Sequence, residues 1–177
     1  MLGILLISVL IFSIALGLAF LRAPQAELHT CIEIDATPER VWELLGNPGS
    51  YGQWNPFIVS MQGELVQGGR LINQLQSSRG RRMEFRPQVL TVQAARELRW
   101  RGRLFFPRIF DGEHFFELQP MQQPGTSHPR TRLMHGERFR GVLLWWMDVE
   151  EFRPDFERMN LALKSAAEQQ NFSANSD

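Results

Sequence analysis

Cysteine occurs once in these 177 residues, as Cys31, so no intrachain disulfide can form. The lone thiol, on the expected outer face of a first strand, is read as incidental. Lysine also occurs once, as Lys164, against eighteen arginines. No Gly-rich phosphate loop, Cys-x-x-Cys pair or nucleophile elbow is present, which argues against nucleotide-dependent chemistry. No helix-turn-helix, zinc or RNA-binding signature accompanies the arginines, so nucleic acid is not an expected partner. No cofactor or metal is implied. Charge is missing altogether from residues 1–21.

That uncharged opening is long enough, at about 1.5 Å per helical residue, to cross the roughly 30 Å hydrocarbon layer of a bilayer. A cleaved secretory signal is the competing reading, with Gly17 and Ala19 as a small-residue site, but the basic n-region is missing. The expectation is therefore a single-pass transmembrane anchor over 1–21 and a tether over 22–26. Arg22 follows the segment and no Lys or Arg precedes it, which favours a cytoplasmic domain.

The remainder, 44% hydrophobic over the whole chain, suits one domain of ordinary size. Leu28, Thr30, Ile32 and Ile34 alternate with polar neighbours, the period of a half-buried strand. Thr37, Pro38 and Glu39 form a helix start, and Val41, Leu44 and Leu45 give that helix one apolar stripe. Gly46, Asn47 and Pro48 stop it, leaving room for one brief turn before Trp54. Strands are expected over 57–65 and 70–76 around a Gly-rich turn, over a third run holding Met83, Phe85 and Val89 that Pro87 either bends or assigns to a less regular edge, and over 96–104. Two more, 109–118 and 131–140, flank a Pro-, Gly- and Gln-rich loop; closing it near Pro124 sets His114 opposite His135 or Glu137. After the dense apolar run 142–147, Phe156, Met159 and Leu163 mark a long helix from Pro154, with a polar tail over 171–177.

The run IDATPERVWELL followed by YGQWNPF, with the later ELRWRG, FDGEHFFEL and TRLMHGERFRG, resembles the START-like superfamily that includes polyketide cyclases and lipid-transfer domains (SRPBCC). The resemblance covers 27–170. It implies an α+β helix-grip fold: a curved antiparallel sheet wrapped around the C-terminal helix, with the short early helices closing one end. It also implies a hydrophobic small molecule or lipid as ligand, or else cyclase or dehydratase chemistry.

Trp54, Phe57, Phe85, Trp100, Phe110, Phe116 and Phe139, with Met159 and Leu163, are the expected inward apolar residues. They line a ligand pocket or pack on one another as solid core. His114, His135 and Glu137 are the polar residues expected to point inward, where they need hydrogen-bond partners. A structural network or ligand anchor is favoured over acid–base catalysis, since a His and Glu pair is a weak signal, and a metal site from the same three has no recognised spacing. Residues 70–108 hold ten arginines against two acids. Arg99, Arg101 and Arg103 share one strand face, read either as a solvated surface or as a contact for anionic lipid headgroups.

Overall fold

The structure, a computed structural model, describes residues 2–121 and 129–173. In chain order its elements are α1 (Leu2–Leu21), β1 (Gln25–Ile34), α2 (Pro38–Leu45), α3 (Tyr51–Trp54), β2 (Ile58–Gly63), β3 (Leu71–Gln76), β4 (Arg82–Phe85), β5 (Gln88–Gln93), β6 (Glu97–Arg103), β7 (Asp111–Met121), β8 (Arg130–Arg140) and α4 (Arg153–Ser173).

Helix α2 begins as its sequence dictates: Thr37 Oγ1 accepts from Arg40 N at 3.2 Å, and Pro38 occupies the first turn, where no N–H is needed. Arg40 then reaches the far end of α4, donating to the carbonyls of Ala166 and Ala167. The polar C-terminal half of α4 is thereby clamped, and the helix runs to Ser173, three residues into the stretch expected to be a tail from 171. The rest of that expected tail, and most of the loop around Pro124, lie outside the described residues.

Five strands pair in the order β1-β8-β7-β6-β5 and three in the order β2-β3-β4, all antiparallel. The two sheets meet where Gly68 N and Val89 N bond Val89 O and Gly69 O at 2.9 and 2.8 Å, and Leu71 N bonds Pro87 O at 2.9 Å. One correction follows. The run expected through Met83, Phe85 and Val89 is not a single bent strand: Pro87 divides it into β4 and β5, in different sheets. Proline has no N–H to extend a ladder, and here only its carbonyl is used.

Helix α4 packs chiefly on β1 and the end of α2, not over the middle of the sheet. Met159, Leu163 and Ala167 are wholly buried there, with Leu28, Ile34, Val41 and Leu45. Arg153 caps the arrangement by donating to His29 O at 3.0 Å, and Lys164 donates to Glu33 O at 2.7 Å. Because the helix sits to one side, it reaches β7 through Phe156, whose ring lies 5.0 Å from that of His114, and leaves a cavity over the rest of that sheet face.

Helix α1 spans twenty residues, and its described large side chains from Ile4 to Leu18 are all exposed. Among the described residues no helix is long and apolar enough to cross a membrane. What the fold contains at the N-terminus is thus a helix with an exposed apolar surface.

Candidate functional site

The space left uncovered by α4 is a cavity of about 440 Å³ between the two sheets and the first turn of that helix. Of the residues expected there, Phe57, Phe85 and Trp100 line it, together with Phe110 and Phe139, whose rings lie 5.4 Å apart, and the polar pair His114 and Glu137. The other five lie elsewhere. Met159 and Leu163 are core residues under β1, and Phe116 packs at 5.5 Å from Trp100 and 4.5 Å from His135. Trp54 is half-buried, its ring 5.0 Å from Tyr51 and its Nε1 donating to Ser50 Oγ at 3.3 Å. His135 lies wholly behind the cavity wall.

Residues not singled out from sequence also line the cavity. Phe152 and Phe156 come from the entry to α4, and Leu143 and Met147 from the apolar run before it. Asn73 comes from β3, Ser77 and Arg81 from the β3–β4 turn, and Arg82 from the start of β4. The period of α4 could have pointed to Phe156. Asn73 sits at an inward position of β3 and gave no such signal, because a single Asn in a strand reads as solvent-facing.

Glycine shapes the wall at two points. A Cβ on Gly102 would lie 1.8 Å from the Phe85 ring, so the ring rests directly on β6 backbone, and a Cβ on Gly112 would lie 1.9 Å from Glu137 Oε1. Trp100 stacks flat on His114, with centroids 4.9 Å apart and an angle of 3°.

The β7–β8 register sets His114 opposite Glu137 and Phe116 opposite His135. From there a chain of polar contacts runs inward. Glu137 Oε2 is 3.2 Å from His114 Nδ1, His114 Nε2 is 2.9 Å from His135 Nε2, and His135 Nδ1 is 2.7 Å from Asn160 Oδ1. Asn160 Nδ2 donates to Thr30 Oγ1 at 2.8 Å, and Thr30 Oγ1 donates to the His135 carbonyl at 2.9 Å.

The proton positions in this chain follow from donor counting. A carbonyl can only accept, so Thr30's single hydroxyl hydrogen is committed to His135 O. Thr30 must then accept from the Asn160 amide nitrogen, which turns Oδ1 toward His135 and requires a proton on His135 Nδ1. A neutral His135 accepts at Nε2, so His114 carries its proton on Nε2 and accepts at Nδ1. The remaining hydrogen must come from Glu137, which is therefore a carboxylic acid. Running the chain backwards would flip Asn160 and leave Thr30 Oγ1 and the His135 carbonyl 2.9 Å apart with no hydrogen between them.

Burial acts in the same direction. It pushes Glu137 up to about 8 and His114 down to about 3, and it holds His135 well below its ordinary value, helped by the neighbouring His114. The Glu137–His114 contact is thus a neutral hydrogen bond and not an ion pair. Glu137 keeps 14% of its side chain accessible, and that part faces the cavity. No group of three or more His, Cys, Asp or Glu able to hold a metal ion occurs among the described residues.

The expected basic face is largely neutralised. Arg99 contacts Glu97, Glu113 and Glu117, Arg101 contacts Glu113 at 2.5 Å, and Arg103 lies 3.6 Å from Asp111. Arg99 and Arg138 also cover the ring of Phe115 at 5.0 and 5.7 Å.

An apolar chamber between a curved sheet and a C-terminal helix, with a few polar groups on its wall, defines a helix-grip ligand-holding domain. The chain belongs to the polyketide cyclase / dehydrase and lipid transport family, whose model matches residues 25–168. Similar solved structures include ginseng major latex-like protein 151 from Panax ginseng, 13% identical over 81% of this chain and 98% of that one, with a TM-score of 0.65. A START superfamily protein from Mycobacterium smegmatis is 15% identical over 81% and 98%, with a TM-score of 0.62. Norcoclaurine synthase from Thalictrum flavum, a point mutant with a transition state analogue, is 10% identical over 84% and 98%, with a TM-score of 0.60. At these identities the likeness is one of fold. No curated protein matches the chain.

Proposed function

We propose that the protein is a membrane-anchored carrier that holds a hydrophobic small molecule or lipid between its sheets and α4. The observation that carries this reading is the cavity itself, about 440 Å³ walled mainly by apolar and aromatic side chains, within the size range of small-molecule sites.

Helix α1 is the proposed anchor, because all twenty of its residues are uncharged and its described large side chains have no domain surface over them. It joins the domain beside two loops. Arg108 Nη1 lies 3.5 Å from Phe20 O, and Gly141 N donates to Pro24 O at 3.1 Å. Those loops, 104–110 and the turn Val142–Trp145 with its continuation, are tied together by Val142 N to Arg108 O at 2.9 Å and Leu143 N to Ile109 O at 3.2 Å. They expose Phe105, Phe106, Trp145 and Trp146, while Leu104, Phe110, Leu143 and Met147 of the same segments line the cavity. Phe105 and Arg108 hold positive φ values of 59° and 68°, a strained backbone that loops carry where they serve a purpose. Large aromatics favour the headgroup level of a bilayer, so these loops would rest on the membrane with the cavity directly behind them. Arg22, the first charge after α1, favours the cytoplasmic side. A contact of Arg99, Arg101 and Arg103 with anionic headgroups draws little support from a face whose arginines are held by carboxylates.

Catalysis is the weaker reading. Both His114 nitrogens are occupied within the chain and His135 is behind the wall, so of the three candidates only Glu137 presents an uncommitted oxygen to a guest. The test is to delipidate the full chain in mild detergent, expose it to a membrane extract, and examine it by native mass spectrometry. A retained small apolar species is the expected result. Repeated recovery of empty protein, or full release of the chain from membranes by alkaline carbonate, would overturn the carrier and the anchor respectively.

A further inference from the structure

The hydrogen-bond direction also says what kind of polar group the guest brings. Glu137 spends its only hydrogen on His114, so it meets the cavity solely as an acceptor, and its Oε1, lying against Gly112, accepts from no donor among the described residues. Asn73 is 1% exposed, lines the same cavity from the other sheet, and its Oδ1 has no partner among the described residues. A buried amide edge without a partner is costly and marks where something else is meant to bind.

Resting on the carrier reading above, we propose that the cavity takes an uncharged apolar alcohol, its hydroxyl held between the acceptor oxygen of Glu137 and the open amide of Asn73. A hydroxyl has one hydrogen to give and lone pairs to offer, so it donates to Glu137 and accepts from the amide nitrogen of Asn73, which a half-turn of that side chain brings to the open edge now held by Oδ1. A carboxylate has no hydrogen for Glu137 and would set its charge against oxygen lone pairs in an apolar chamber. A ketone or ester leaves Glu137 unmet, and a hydrocarbon leaves both. Arg81 and Arg82 line the outer end of the chamber but are solvent-exposed, where attraction for an anion is screened. An anionic guest with its head there would point its tail at Glu137, leaving the same acceptor unmet.

The experiment is a competition on the full chain in nonionic micelles, with equimolar 1-dodecanol, dodecanoate and dodecane read by native mass spectrometry. Dodecanol should be retained over each of the others by about tenfold, the scale of one buried hydrogen bond to a group otherwise left unsatisfied. Glu137→Gln should keep that preference, because its amide nitrogen replaces the donor to His114 and its oxygen remains an acceptor. Glu137→Ala and Asn73→Leu should each reduce it to about the level of dodecane. Retention of dodecanoate above dodecanol, weakened by Arg81→Ala and Arg82→Ala, would overturn the alcohol while leaving the carrier intact. Failure of all three to bind would remove the carrier reading, and the alcohol with it.

Discussion

Glutamine at position 137 is the substitution that separates charge from shape in this site. Folded Glu137 titrates near 8, above its ordinary 4.5, so the stability tied to its proton is present below 4.5 and lost as pH rises through 8. His114 works oppositely: with its value lowered from 6.5 to about 3, its share is present above 6.5 and lost as pH falls toward 3. Between pH 6.5 and 8 only the glutamate term changes, by up to about 1.4 kcal/mol per pH unit. Urea melts should show the native chain weakening across that window and Glu137→Gln holding level; equal slopes would mean Glu137 is already ionised. Gly112→Ala should act on the same bond from the other side. The new methyl would push the carboxyl off Oε1's resting place, at a cost of about 1–3 kcal/mol in the same melts, for an acceptor nitrogen left without its donor. Strand alternation and a symmetric loop narrowed the partner of His114 to His135 or Glu137, and the register decides for Glu137. The continuation through Asn160 to Thr30 was not legible in the sequence, since a polar residue on the buried face of a helix looks like any exposed one until the helix is docked.

At the scale of elements, the strands and helix starts carry their own signals, and the connections do not. The capping run at Thr37 and Pro38 and the Leu98, Trp100 alternation in β6 read directly. Pro87 divides two strands instead of bending one, because its effect depends on which carbonyls and amides the neighbouring strand offers. Residues 105–108 were only a link between two expected strands, and 142–147 was an apolar run with no assigned place. Their exposure follows from a packing decision made far away, the docking of α4 over β1. Their proposed membrane contact makes a measurable claim. With the full chain in vesicles containing bromine-labelled lipid, tryptophan emission should be quenched, and replacing Trp145 and Trp146 by serine should remove most of the quenching. Unchanged quenching in that variant would place these loops away from the bilayer.

For the whole molecule, the residues themselves gave the element order, strand, two short helices, strands, long helix, while the helix-grip arrangement came from the family resemblance, and the family match agrees with it. Whether the interior was hollow was not readable, because the same aromatic residues fill a core or wall a chamber depending on where one helix comes to rest. Four of the twelve expected site residues, Phe116, His135, Met159 and Leu163, went into the buried interior for that reason.

The offset seat of α4 also sets how the protein responds to compression. A chamber of about 440 Å³ that is eliminated on unfolding makes the unfolded chain the smaller state, and pressure favours the smaller state. The empty protein should therefore unfold at lower hydrostatic pressure than the same protein loaded with dodecanol, by more than the two differ in urea. High-pressure fluorescence would read the difference, and identical pressure midpoints would mean the guest occupies some other part of the molecule.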